Sequence, residues 1–133
     1  MKIAVYGTLR QGNSANRKMA GCTFVSTTTV KGQLYNLGWY PGLILGDDHS
    51  PSVVDRTLAV AVEVYEAPQD TLEASKVLTQ LDTYEGYSAS SPEHSLYLRK
   101  PVFTEDGQEV FIYEYNHPVS EDQLIPSGDW MNK

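Results

Sequence analysis

The sequence is poor in cysteine, in basic residues and in long apolar runs. Its single cysteine, Cys22, cannot form a disulfide within the chain and is typical of a reducing compartment. Ten basic residues against seventeen acidic ones give a formal net charge of −7, which disfavours binding to nucleic acid. No apolar run approaches the length of a membrane-spanning helix, and the N-terminus lacks a signal-peptide pattern. We therefore expect a cytoplasmic protein with no nucleic-acid and no membrane partner.

The sequence also lacks the common signatures of nucleophilic, nucleotide-binding and metal sites. No serine stands in a nucleophile elbow, no glycine-rich phosphate loop is present, and the histidines are scattered through predicted loops. Asp47, Asp48 and His49 are polar neighbours, but three adjacent side chains cannot all converge on one ion. We therefore expect no metal site.

The length and composition of the chain predict one domain over residues 1–133. Its length can bury an ordinary core, and no linker or internal repeat divides it. Runs of β-branched and aromatic residues predict strands at 2–5, 23–38, 57–65, 96–104 and 109–115, the last two joined by an Asp-Gly hairpin turn. A short helix is predicted within residues 11–22. Pro41-Gly42 fits a type II turn, with proline and glycine at its two corners.

One long helix is predicted after residue 69. Asp70 and Glu73 have the spacing of an N-terminal capping box, and Gly86 is placed as the C-terminal stop. An apolar stripe at helical spacing marks the buried face: Ala74, Val77, Leu78 and Leu81.

Glu85 lies one turn beyond Leu81, on the same inward stripe of this helix. The macrodipole disfavours negative charge at a helix C-terminus, so the position and burial both raise the pKa of this carboxyl. Such a group suits a general acid or base near neutral pH. The alternatives are a solvated carboxylate or an ion pair with an arginine such as Arg99.

The first strand leads directly into a turn formed by residues 6–10, Tyr-Gly-Thr-Leu-Arg, called the 6–10 turn below. A strand exit of this kind directs several backbone N–H groups to one place, where they can bind an anion or a carbonyl oxygen. Arg10 would add positive charge nearby. The alternative is that Gly7 simply permits the chain to turn.

Six segments in order resemble the γ-glutamylcyclotransferase-like family, which includes the γ-glutamylamine cyclotransferases and the plant avirulence-induced proteins. They are residues 5–10 (VYGTLR), 40–43 (YPGL), 63–65 (EVY), 81–86 (LDTYEG), 97–99 (YLR) and 111–113 (FIY). The likeness runs over nearly the whole chain. It implies an α+β fold in which a small, strongly bent mixed β-barrel is flanked by helices, with the active cavity at the mouth of the barrel.

The resemblance also implies an enzyme that needs no cofactor. Its members cyclise the γ-glutamyl group of a small γ-glutamyl amine or amino acid to 5-oxoproline, an intramolecular acyl transfer that releases the amine. By position, Glu85 is the catalytic acid/base. The substrate would be held by backbone donors of the 6–10 turn and by two strand tyrosines: Tyr6, Gly7, Thr8, Leu9, Arg10, Tyr97 and Tyr113.

Two departures from the family pattern and two other functions stay open. Ala61 stands where many relatives have glycine, and residues 88–95 are longer than in compact relatives, which would reshape the pocket. The same cavity would also suit a small-molecule-binding protein without activity, or an amide hydrolase in which Glu85 activates water. A monomer is expected for a single small barrel, with a dimer as the alternative.

Overall fold

A six-stranded sheet is the centre of the computed structural model, which describes residues 1–46 and 58–133. The strands are β1 (Lys2–Val5), β2 (Thr23–Asn36), β3 (Pro41–Leu45), β4 (Ala59–Glu66), β5 (Tyr97–Phe103) and β6 (Glu109–Tyr115). Their order across the sheet is β3-β2-β4-β1-β6-β5, and only the β1–β6 pairing is parallel among these strands. The five predicted strands are present, and β3 is an additional one.

The sheet curls until β3 at one edge reaches the β5–β6 hairpin at the other. The backbone N–H of Leu45 in β3 donates a hydrogen bond to Oε2 of Glu114 in β6, at 2.8 Å. The Tyr97 hydroxyl in β5 donates to the carbonyl of Pro41 in β3, at 2.6 Å. These bonds close the curled sheet into a half-barrel, which confirms the bent mixed barrel implied by the resemblance.

Strand β4 shows why both faces of the sheet are covered. Val60, Val62 and Val64 alternate along it and pack inside the curl, together with Ile112 from β6. Tyr65 faces the opposite side and joins a second cluster beneath the long helix. The alternation predicted for this strand is therefore confirmed, including the cover on its second face.

The long helix, α1, comprises Thr71–Glu85 and begins at an acidic cap. The carboxylate of Asp70 accepts hydrogen bonds from the backbone N–H groups of Leu72 and Glu73, at 2.9 and 3.1 Å. Glu73 uses its own carboxylate to bind Lys76 at 3.3 Å. The cap is therefore the N-terminal half of the predicted box, made by Asp70 alone.

Helix α1 packs on the sheet through the predicted stripe and ends where glycine allows a left-handed residue. Val77 and Leu81 are buried in the outer cluster. Gly86 has φ 68° and ψ 37°, and its N–H bonds back to the carbonyl of Thr83 at 3.2 Å. This termination fixes Glu85 as the last helical residue, directly beside the sheet.

The type II turn predicted at Pro41-Gly42 is wrong. Pro41 is the first residue of β3, and the left-handed backbone is found earlier, at Gly38 with φ 111°. Gly42 is needed for a different reason: a Cβ atom there would lie 2.9 Å from the Tyr115 side chain. The curl brings Tyr115 against this strand, and a turn motif contains no information about that distant contact.

The short helix predicted within residues 11–22 is a 3-10 segment, Ser14–Met19. Asp47, Asp48 and His49 lie outside the described residues. Across 1–46 and 58–133, no three metal-binding side chains come close enough to share an ion. In the same ranges, no helix has both the length and the apolar character needed to span a bilayer.

Candidate active site

A cavity of about 210 Å³ opens between the 6–10 turn and the C-terminus of α1. The curl of the sheet brings β3, β5 and β6 around it. Seven of the eight residues predicted for the site line this cavity: Tyr6, Gly7, Thr8, Leu9, Glu85, Tyr97 and Tyr113. These residues are distant in sequence, so their meeting is a product of the fold.

Among the described residues that line this cavity, Glu85 is the one with a carboxylate side chain. Burial raises its pKa from 4.5 to about 7, because the charged form loses solvation there. Within the described ranges its carboxylate has no hydrogen-bond or ion-pair partner, and Arg99 instead binds Asp82 at 2.6 Å. Near neutral pH the group is therefore divided between acid and base forms and can serve as either.

The 6–10 turn borders the cavity with Tyr6, Gly7, Thr8 and Leu9. The N–H of Arg10 donates to the carbonyl of Gly7 at 3.0 Å and closes the turn. Among the residues that the structure describes, the N–H groups of Gly7, Thr8 and Leu9 find no acceptor. All three residues line the cavity. Unpaired backbone N–H groups are of the kind that can bind a carboxylate or an oxyanion.

Gly7 is required by a close contact rather than by its backbone angles. A Cβ atom at this position would lie 2.5 Å from Cγ and 2.7 Å from Cδ of Pro41. Both atoms belong to a rigid proline ring at the first residue of β3. The contact sets the distance between the 6–10 turn and β3.

We expect Gly7→Ala to lower the free energy of unfolding by about 1–3 kcal/mol, since the added methyl group overpacks this contact. Urea denaturation at pH 7 measures the change. Gly46→Ala is the matched control, because a Cβ atom at Gly46 meets only ordinary contacts at 3.6 Å. Equal stability of Gly7→Ala and the control would contradict the close contact with Pro41.

Buried tyrosines form the floor of the cavity and hold the strands around it. The Tyr6 hydroxyl donates to the carbonyl of Tyr113 at 2.5 Å and accepts from the N–H of Leu43 at 3.3 Å. The Tyr97 hydroxyl donates to the carbonyl of Pro41 at 2.6 Å. The bonds to Leu43 and Pro41 tie β3 to residues of elements that are not its neighbours in the sheet order.

These tyrosines stay neutral at physiological pH. Burial raises the pKa of Tyr6, Tyr97 and Tyr113 above 10, and the nearby Glu85 carboxylate raises it further. Their hydroxyl protons are already donated to protein acceptors. They are suited to enclosing a ligand rather than to transferring a proton near neutral pH.

Arg10 is the one residue of the predicted set that the structure places outside the cavity. Its Nε donates to Oε2 of Glu63 at 3.0 Å, and its Nη1 donates to Oδ1 of Asp129 at 2.7 Å. The guanidinium thus lies behind the 6–10 turn, tied to β4 and to the C-terminal segment. Its charge is neutralised there, and its effect on the site is to hold the turn.

Two tyrosines at the mouth of the cavity were not predicted as site residues. The hydroxyl of Tyr84 is 2.7 Å from Oγ1 of Thr8, and the Lys18 ammonium lies 5.1 Å from the Tyr84 ring centroid. The ring of Tyr40 lies 6.4 Å from that of Tyr97. Both tyrosines belong to the segments that carry the family resemblance, which was the available signal.

The sequence matches a known protein family along nearly its whole length. Residues 3–132 match the model of the family described as γ-glutamyl cyclotransferase, AIG2-like. The chain is also 30% identical to the γ-glutamylcyclotransferase family protein YtfP of Escherichia coli K12, over 100% of this chain and 98% of that protein.

Solved structures show the same fold at lower identity. An uncharacterised protein from Pyrococcus horikoshii superposes with a TM-score of 0.68 at 24% identity, covering 98% of this chain and 89% of that one. A mouse AIG2-like protein gives a TM-score of 0.67 at 19% identity, covering 96% and 86%. With the family match over nearly every residue, these findings show that the chain belongs to the AIG2-like γ-glutamylcyclotransferase family.

Proposed function

We propose that this protein cyclises the γ-glutamyl group of a small γ-glutamyl amine or amino acid to 5-oxoproline and releases the amine. The observation that carries the proposal is the placement of Glu85, with a pKa of about 7, in one cavity with the free N–H groups of the 6–10 turn. Family membership supports a γ-glutamyl substrate. A cavity of about 210 Å³ suits a small molecule.

The reaction begins with proton transfer to Glu85. Its carboxylate takes a proton from the substrate's α-ammonium, and the α-nitrogen then attacks the γ-carbonyl carbon to form the C–N bond of a five-membered ring. The γ-oxygen becomes an oxyanion, which the N–H groups of Gly7, Thr8 and Leu9 are suited to stabilise. No nucleophile from the protein is required.

Collapse of this intermediate restores the carbonyl and breaks the bond to the leaving nitrogen. Glu85, now protonated, gives its proton to that nitrogen. The regenerated carboxylate then takes the second proton from the ring nitrogen and passes it to the released amine, which leaves as an ammonium ion. A pKa of about 7 suits these transfers, because the group is neither too weak a base nor too weak an acid. Holding the glutamyl chain bent makes the attack intramolecular, which is itself a large rate advantage.

The pH dependence of turnover follows from the same carboxyl group. At low substrate concentration we expect kcat/KM to rise with pH through a midpoint near 7, since the base form of Glu85 carries the first step. Initial rates of 5-oxoproline formation between pH 5 and 9 measure this. A midpoint near 4.5, the ordinary value of a glutamate, would contradict a buried catalytic carboxyl.

The test of the reaction is a panel of γ-glutamyl amino acids and γ-glutamyl amines, with products identified by mass spectrometry in water enriched in ¹⁸O. Unlabelled 5-oxoproline together with free amine supports cyclisation. Free glutamate carrying one solvent oxygen indicates the hydrolase alternative. Saturable binding of panel members without any product indicates a binding protein that uses the same cavity.

A further inference from the structure

Asp82 lies three residues before Glu85 on α1 and joins the helix to the β5–β6 hairpin. Its Oδ1 accepts a hydrogen bond from the Tyr113 hydroxyl, and its Oδ2 accepts one from Nη1 of Arg99, both at 2.6 Å. Arg99 and Tyr113 face each other in the β5–β6 register. One carboxylate therefore holds two cross-strand neighbours at the last turn of the helix.

Arg99 binds α1 close to the position of Glu85 in the helix. Residues three apart on a helix are surface neighbours, so the Asp82 carboxylate that Arg99 binds lies one step from Glu85. The guanidinium also lies 5.4 Å from the ring centroid of Tyr87, two residues beyond Glu85. The charges of Arg99 and Glu85 both act on the Tyr113 hydroxyl.

We propose that Asp82 is a positioning residue that holds the Arg99 guanidinium away from Glu85, so that the catalytic carboxylate keeps no cationic partner. In calling Glu85 catalytic, this rests on the proposed function. The geometry itself does not: Asp82 occupies Arg99 on the helical turn that carries Glu85. An arginine released from Asp82 would find Glu85 as the next carboxylate along the same helix.

Other groups around Glu85 do not replace this pair. The titratable residues that line the cavity with it are Tyr6, Tyr40, Tyr84, Tyr97 and Tyr113. The charged residues bound beside the last turns of α1 are Asp82, Arg99 and Lys18. Burial keeps Tyr6, Tyr97 and Tyr113 neutral. Lys18 lies against the ring of Tyr84. Arg99 is the cation that Asp82 holds on the helical turn before Glu85.

The experiment titrates Glu85 directly. The side-chain ¹³C carboxyl shift of Glu85, assigned by its absence in Glu85→Gln, is followed from pH 4 to 9 without substrate. In Asp82→Asn we expect the pKa of Glu85 to fall by about one to three pH units, as an opposite charge within a few ångströms produces. In Arg99→Gln the pKa does not fall, because Asp82 remains as a like charge. The double variant restores the wild-type value.

If the bonds of Asp82 to Arg99 and Tyr113 serve only to stabilise the helix end, the pKa values of the three variants change differently. Loosening the helix end would expose Glu85 in both single variants and in the double, so all three pKa values would fall together. That result, or an unchanged pKa in Asp82→Asn, overturns the proposal. If Asp82→Asn does not fold, Asp82→Ser takes its place, because its hydroxyl can still accept from Tyr113. Failure of both to fold while Arg99→Gln folds also overturns it, since Asp82 would then be structural.

Activity is a second and separate readout. If the proposed reaction is right, the midpoint at which kcat/KM rises with pH changes in each variant by the same amount as the pKa of Glu85. If no variant and no wild-type protein forms 5-oxoproline, the proposed function fails, while the titration still decides the role of Asp82.

Discussion

Glu85→Gln is expected to lower kcat/KM for 5-oxoproline formation by about 10²–10⁴-fold, the usual contribution of a positioned acid/base group. Glutamine keeps the shape and hydrogen-bonding capacity of the side chain but cannot exchange the proton between the two nitrogens of the substrate. The cavity lining presents no second carboxylate to take over that role. The measurement uses the best substrate from the panel, at concentrations below its KM.

The stability of the same variant shows whether the loss is chemical. The folded-state pKa of Glu85 is raised from 4.5 to about 7, so folding binds the proton and the wild type loses stability as pH rises through this window. Glu85→Gln lacks this penalty. Above pH 7 it is therefore expected to be more stable than the wild type by up to about 3 kcal/mol, with no difference below pH 4.5.

Glu73→Gln is the matched control, since Glu73 is an exposed glutamate in the first turn of the same helix. It is expected to keep wild-type kcat/KM. Wild-type rates in Glu85→Gln would contradict the catalytic role proposed for Glu85. A loss of rate combined with lower stability at pH 8 would indicate that the variant is damaged rather than deprived of its base.

The position of Glu85 was predictable because the signals that set it are local. The spacing of Val77 and Leu81 fixes which face of α1 is buried, and Gly86 fixes where the helix ends. Glu85 lies between the buried stripe and Gly86, so the direction of its side chain is nearly fixed by the helix. The strand alternation in β4 was predictable for the same reason, since side chains alternate along any strand.

Features that depend on the curl of the sheet were not predictable in the same way. Gly7 and Pro41 are 34 residues apart, and their contact exists only because the curl of the sheet brings β3 against the 6–10 turn. The pairing of Arg99 with Asp82 depends on how the hairpin packs against α1. From the sequence, Arg99 was a candidate partner for Glu85. In the folded protein it binds Asp82 instead, because of how the hairpin packs.

Arg10 illustrates the same limit and carries the largest expected effect on stability. Arg10→Met is expected to lower the free energy of unfolding by about 3–5 kcal/mol, since it leaves the buried Glu63 carboxylate without its cation. Glu63 would retain only neutral donors, the N–H of Gln11 at 2.9 Å and the Tyr65 hydroxyl at 3.1 Å. Urea denaturation at pH 7 measures the loss.

The double variant Arg10→Met/Glu63→Gln separates an uncompensated charge from lost packing. Glutamine removes the charge and keeps an acceptor for Gln11 and Tyr65, so the double is expected to recover most of the stability lost in Arg10→Met. Lys76→Met breaks an exposed pair with Glu73 and should cost about 0.5 kcal/mol or less. If Arg10→Met costs no more than Lys76→Met, the Arg10–Glu63 pair is not buried in solution. The 6–10 turn would then lack the support behind it that this structure shows.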